Sequence, residues 1–258
     1  MKLFDATLDL ASFARGTEDY EVSAVEGTRL ICNELAGRVH EYGGGTIWIH
    51  TGESAGYFGK IKSGKGQTIE LMSELPVAEG DRITIGAWLE FDTQKLINAV
   101  NSVLRTYKIL KYDDTLSYDP DVVEYELPEG VTEDIREVKC HWSTGQEWSV
   151  CHYWRVENGM LLLYNTHREI YEKGGTIRIS YVDYHGAVGK DDEISSQVDP
   201  LYLRYMAWLY LCRNLIQKTH KDNLVSTDMY NEAKIYERDY SRLPNKRLQM
   251  RTWTFPAW

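Results

Sequence analysis

From Tyr20 to Gly86 the chain is built of short apolar runs punctuated by turn residues, and this pattern restricts the fold more than any other feature. Gly43-Gly44-Gly45 breaks into Thr46-Ile-Trp-Ile-His50, and Tyr57-Phe-Gly-Lys-Ile61, Thr68-Ile-Glu-Leu-Met72 and Arg82-Ile-Thr-Ile85 follow. Runs this short, separated by glycine-rich turns, suit antiparallel strands joined by tight connections. They predict a small β sandwich or barrel over residues 1–90.

The period changes at Asp92, a residue suited to capping a helix N-terminus. Leu96, Val100, Val103 and Tyr107 then recur on one helical face and predict a helix over 92–110. A run follows in which Asp113, Asp114, Asp119, Asp121, Glu124, Glu126, Glu129, Glu133 and Asp134 occur with no Lys or Arg among them, the usual composition of a solvated face. Strands are expected at 122–127, 134–142, 148–156, 160–164 and 176–182. Asn158-Gly159 marks a hairpin, because both residues tolerate positive φ. Asp199-Pro200 opens another helix with a capping carboxylate and a first-turn proline. Its apolar residues Leu201, Tyr205, Trp208, Leu209, Cys212, Leu215 and Ile216 leave Arg204 and Arg213 outside. A last helix starts at Ser226 or Thr227, with Met229, Ala233, Tyr236 and Tyr240 as its stripe.

The fold class expected is therefore α+β: an N-terminal antiparallel sandwich or barrel, then a helical-bundle body over 91–242 carrying an inserted antiparallel β region. Residues 243–258 form an extended tail. With 258 residues and 43% hydrophobic content, the chain can fill one large or two ordinary domains.

A net charge of −10 argues against a protein that coats nucleic acid, since such binding depends on clustered Lys and Arg neutralising phosphates. It leaves room for nucleic acid to slide past. Cys32, Cys140, Cys151 and Cys212 form no CxxC motif and no compact framework, and are expected as packed, reduced thiols. The sequence Met1-Lys-Leu-Phe-Asp-Ala-Thr has an acidic residue where a signal peptide would have its apolar run, and no stretch approaches a membrane span in length. The expected place of action is a cytoplasm, or a particle assembled there.

Four patterns that could carry chemistry weaken on inspection. Gly52-Glu-Ser-Ala-Gly56 matches GxSxG, but a strand-like segment follows where a nucleophile elbow needs a helix. Gly59-Lys-Ile-Lys-Ser-Gly-Lys65-Gly66 approaches a phosphate loop, yet Gly66 stands in place of the magnesium-binding Ser or Thr. Cys140-His141 and Cys151-His152 offer zinc-binding atoms, but neighbours on a strand point to opposite faces. Carboxylates are too numerous to single out an acid and base pair. No catalytic set stands out, and neither a cofactor nor a metal ion is expected.

The tail carries Lys246, Arg247 and Arg251, then Trp253, Phe255 and Trp258. Burying each aromatic contributes about 2 kcal/mol on area grounds, so a receptor on a partner is the favoured reading and packing on its own domain the next. Tyr205, Trp208, Tyr236 and Tyr240 are candidates for packing between subunits, where aromatic anchors are enriched.

Taken together these segments resemble the head-to-tail connector adaptors of tailed bacteriophages, the neck or gatekeeper proteins that ring the portal. The resemblance rests on the order of a helix from Asp92, Tyr125-Glu-Leu-Pro-Glu-Gly130, Asp134-Ile-Arg-Glu-Val138 and the Asn-Gly hairpin. It continues with Gly175-Thr-Ile-Arg-Ile-Ser-Tyr-Val-Asp-Tyr184, Pro200-Leu-Tyr-Leu-Arg-Tyr-Met-Ala-Trp208 and Asn231-Glu-Ala-Lys-Ile-Tyr-Glu-Arg-Asp-Tyr240. The N-terminal part is similar to a β domain of other phage structural proteins, through Gly45-Thr-Ile-Trp-Ile49, the Gly59-Lys-Ile61 strand and Gly80-Asp-Arg-Ile83. The resemblance implies a virion protein of the neck, assembled in the host cytoplasm and forming a ring, commonly dodecameric, below the portal protein and above tail or nozzle proteins. DNA would cross its lumen without sequence-specific binding, and no membrane is involved. In that setting Asp113, Asp114, Asp119, Asp121 and Glu124 would face the lumen or the next ring and repel phosphates. Competing readings are a carbohydrate-binding module of a tail or fibre, using Trp48, Tyr57 or Trp88, and a tail-completion or terminator protein.

Overall fold

The computed structural model describes residues 1–15, 17–35, 42–86, 93–141, 148–164 and 174–216, with Asn231, Lys234, Ile235 and Arg238. The described residues divide into two compact units, one within 1–107 and 186–242, the other within 108–185. The boundary expected near residue 90 and the tail from 243 both lie outside the described residues.

The first unit begins with helix α1 (Leu3–Arg15). Leu3, Ala6, Thr7, Leu10 and Ala11 recur at helical spacing and are buried, and the Asp5 carboxylate accepts the backbone N–H of Lys2 at 3.0 Å in the first turn. Seven strands follow: β1 (Glu18–Glu21), β2 (Ala24–Glu26), β3 (Arg29–Ile31), β4 (Thr46–Ile49), β5 (Phe58–Lys65), β6 (Thr68–Leu71) and β7 (Arg82–Gly86). They form one antiparallel sheet in the order β1-β7-β4-β5-β6-β3-β2. Its two edge strands are consecutive in the chain, with only Val22 and Ser23 between them. Glu21 and Ala24 are thus at most about 10 Å apart along the backbone, so the sheet has to curl until its opposite edges meet.

The curl encloses an aliphatic core of Val22, Leu30, Ile47, Ile49, Ile61, Ile69, Ile83 and Ile85, with Cys32 and Tyr42. Every residue of β4 is buried, because its two faces meet different partners. Ile47 and Ile49 face the enclosed core, and the Trp48 indole donates to Thr7 Oγ1 of α1 at 3.2 Å. Gly45 is required beside this strand, since a Cβ there would collide with the carbonyl oxygen of Gly86.

Helix α2 (Thr93–Leu104) buries Leu96, Ala99, Val100, Val103 and Leu104. It ends six residues before the expected position. Thr106 and Tyr107 donate their N–H groups to Val103 and Leu104 in a closing turn, and the aromatic and β-branched run from Tyr107 favours extension. Later in the chain helix α3 (Pro200–Ile216) returns to this unit, its N-terminus capped by Asp199 Oδ1, which accepts from the N–H groups of Leu201 and Tyr202 at 2.8 and 3.2 Å. The three helices pack on one another. Arg204 of α3 is paired with Asp9 of α1, and the Asn101 side chain exchanges two hydrogen bonds with the Val188 backbone at 2.9 and 3.0 Å.

The second unit contains β8 (Lys108–Ser117), β9 (Glu124–Glu126), β10 (Ile135–His141), β11 (Ser149–Val150), β12 (Trp154–Glu157), β13 (Met160–Leu163) and β14 (Thr176–Tyr184). These make a four-stranded sheet, β11-β10-β14-β8, and a three-stranded sheet, β12-β13-β9, both antiparallel. Asn158 and Gly159 have φ of 53° and 75°, and Glu157 pairs with Met160, which makes the two-residue hairpin the sequence predicts. One core serves both sheets, formed by Tyr118, Tyr125, Ile135, Val138, Leu161, Leu163, Ile177, Ile179 and Tyr181.

The α+β class with a helical-bundle body is overturned. The described chain is mostly β, with fourteen strands and three helices, and a curled antiparallel sheet carries its first part. Between α2 and α3 the period-two runs of residues 108–184 build a unit with its own core, inserted as expected, but into a first unit built on a curled sheet and not into a helical bundle. Of the last expected helix, only Asn231, Lys234, Ile235 and Arg238 are described, each in helical conformation.

Candidate functional site

The acidic segment of the second unit is partly engaged in its own structure. Asp114 on β8 accepts two hydrogen bonds from Arg178 on β14, Nε to Oδ1 at 2.7 Å and a terminal nitrogen to Oδ2 at 2.5 Å. The guanidinium donors hold the Asp114 carboxyl below the usual carboxylate range. The same guanidinium lies 4.0 Å from the Trp148 ring centroid and 5.7 Å from that of Tyr112, so it is fixed by stacking as well as by charge. Asp113 Oδ1 accepts from both the N–H and the hydroxyl of Thr115, at 2.9 and 2.6 Å. Asp119 Oδ1 accepts the Asp121 N–H at 3.0 Å, while the Tyr125 hydroxyl accepts the Asp119 N–H at 3.0 Å and donates to its carbonyl at 2.8 Å. These are turn-forming roles of short acidic side chains. Asp121 and Glu124 stand exposed, as do Glu126 and Glu129.

Of the four aromatics expected to pack between subunits, Trp208 is fully buried in its own chain, with Phe13 edge-on at 6.1 Å between centroids. That role is corrected, because a ring with no exposed surface has none to offer a second copy. Tyr205 is half-buried, 5.2 Å from Phe13. Tyr236 and Tyr240 lie outside the described residues, as do Lys246, Arg247, Arg251, Trp253, Phe255 and Trp258. The buried face of α3 is Leu203, Ala207, Trp208, Leu209 and Leu211, whereas Leu201 is 46% exposed. Arg204, expected outside, is held half-buried by Asp9. A second apolar stripe emerges: Tyr202, Met206 and Tyr210 follow at i, i+4 and i+8 and are half-buried or exposed. Its signal was present in the spacing, but a helix apolar on several faces does not show from sequence which face turns inward.

The enzyme-like motifs resolve into structure. Ser54 of the GxSxG segment is buried in a turn and donates to the Pro76 carbonyl at 2.8 Å, so its hydroxyl is committed to the fold. The phosphate-loop-like segment is β5 and the turn into β6. Trp48, considered for sugar stacking, is fully buried, Tyr57 is 51% exposed, and Trp88 lies outside the described residues.

One cavity of about 660 Å³ in the first unit is lined by Asp19, Glu21, Glu34, His50, Arg82 and Thr84 among others. Thr84 Oγ1 donates to Asp19 at 2.5 Å and lies 2.6 Å from His50 Nε2. This order is unsuited to acyl transfer, in which the hydroxyl proton passes to the imidazole. Thr84 is also buried within β7. Cys140 and Cys151 bring their sulfurs to 3.0 Å, while His141 packs on Trp148 with centroids 4.9 Å apart. Among the described residues no three metal-ligating side chains converge. No helix among them is long and apolar enough to cross a membrane.

Neither the family models nor the curated proteins compared with this chain match it.

Proposed function

We propose that this chain is a virion structural protein, a head-to-tail adaptor of a tailed bacteriophage that forms a ring between the portal protein and the tail proteins, with DNA passing through the lumen. The observation that carries the assembly part of this reading is the second apolar face of α3. On a helix whose other face already fills a core, Tyr202 packs on Tyr107 of its own chain with ring centroids 5.3 Å apart, Met206 is half-buried and Tyr210 is 36% exposed, and such a partly exposed stripe favours association with further protein. The exposed Asp121, Glu124, Glu126 and Glu129 fit a surface past which phosphates move without adhering, because like charge shortens residence on the wall. The order of segments that resembles phage connectors supplies the rest.

The test is quantitative peptide mass spectrometry of purified particles, counting this protein against the portal protein of the same genome. A ratio near one supports a neck ring. Absence from the particle, or an abundance matching capsid or fibre proteins, refutes the adaptor reading.

A further inference from the structure

Cys140 ends the core side of β10, and Cys151 follows β11 on the neighbouring strand. Cys140 pairs with Ser149 in the ladder, and the Cys151 N–H donates to the Val138 carbonyl at 2.8 Å. The two cysteines are therefore diagonal neighbours on one face of an antiparallel pair, and their sulfurs meet at 3.0 Å. That separation exceeds a covalent S–S bond by about 1 Å, a difference small side-chain rotations can close. Cys140 is buried and Cys151 is half-buried, so Cys151 is the residue of the pair nearer to solvent. No third metal-ligating group joins them among the described residues, which favours covalent chemistry over metal binding.

We propose that Cys140 and Cys151 form a redox modification site, at which a small-molecule disulfide of the glutathione class oxidises the two thiols to one intramolecular disulfide. Cys151, as its thiolate, attacks one sulfur of the reagent. The reagent's S–S bond breaks, a mixed disulfide forms on Cys151, and one reagent thiolate leaves. Cys140 Sγ then attacks Cys151 Sγ and expels the second reagent thiolate. The two protein thiols lose two electrons and two protons in total; the reagent gains both and ends as two thiols. The buried Cys140 thiol has its pKa raised, first by sharing its hydrogen with Cys151 and then by burial, so Cys151 is the sulfur that reacts first. The product fastens the two-residue strand β11 to β10, where the described ladder has only two register pairs. This inference is independent of the proposed function.

The experiment uses the full chain, purified with reductant, exchanged into oxidised glutathione, then alkylated after unfolding and mapped by non-reducing peptide mass spectrometry. Expected are a peptide pair joining Cys140 to Cys151, full alkylation of the buried Cys32, and slower amide exchange at Cys151 in the oxidised form. Cys140→Ser should instead retain a glutathione adduct on Cys151, which the wild-type chain resolves. Full alkylation of both Cys140 and Cys151, an unresolved adduct on wild-type Cys151, or a linkage of either to Cys32 or Cys212 overturns the proposal.

Discussion

The two units solve the same problem in different ways. In the first, a seven-stranded sheet curls until β1 and β2 are joined through two residues, and an almost wholly aliphatic core lies within. In the second, two open sheets share a core in which three tyrosines stand among the aliphatics, against Tyr42 alone in the first, and β8 runs ten residues along an outer edge of the four-stranded sheet. In the curled sheet the two edge strands run into each other through Val22 and Ser23, whereas an open sheet must defend a long edge by other means. Here the edge strand carries Lys111 paired with Asp183, and Asp114 paired with Arg178. The difference teaches that charge on β8 serves the fold before it serves any surface role.

The comparison can be broken at four points, the first where the curled sheet depends on a single ring. Trp48→Ala should destabilise the first unit by about 4 kcal/mol, read by urea unfolding, since a fully buried indole is replaced by a cavity. A shift below about 1 kcal/mol would mean that α1 contributes little to covering the sheet. Gly45→Ala should cost about 2 kcal/mol, because the added methyl meets the Gly86 backbone and a strand has to move. Its signature is faster amide exchange across β4 and β7, and unchanged exchange there would refute the close approach.

In the open unit, Gly159→Ala should cost about 1 kcal/mol through its positive φ, with exchange rising in β12 and β13 and not in the curled sheet. Asp114→Asn should cost about 0.5 kcal/mol, since the pair is partly exposed and screened by solvent. Its pH dependence has a definite sign. The folded carboxyl ionises below its ordinary value, so the pair's contribution is full above the unfolded pKa of about 4 and fades as pH falls through the lower folded value. Wild type and Asp114→Asn should therefore converge in stability at strongly acidic pH. A difference that persists there would assign the effect to a change in how Arg178 stacks on Trp148.

Local elements were legible where one short-range rule decides them. The strands at 46–49, 68–71 and 82–86 sit where the alternation placed them, Asn158-Gly159 turns as its chemistry requires, and Asp199 caps α3. Helix α1 falls inside the span expected as β, although Leu3, Ala6, Thr7 and Leu10 carry helical spacing, because the strand signals from Tyr20 onward outweigh one short amphipathic segment. The architecture was less accessible. Aromatic helices suggested a bundle, but Trp208 is spent on a core beside Phe13, and the region between α2 and α3 closes on itself through β8 and β14. The Asp114–Arg178 contact needs a register between strands that lie 64 residues apart, which no spacing in the sequence states.

The meeting of the curled sheet's edges also sets a timetable for synthesis. Among the described strands β1 pairs with β7, with Glu18 opposite Ile85, and Gly86 closes the ladder of β4. At ordinary elongation rates β1 waits on the order of seconds after leaving the ribosome before β7 exists to receive it. For that interval its backbone is an open template for other chains, so the last strand to be made determines how long the first is at risk.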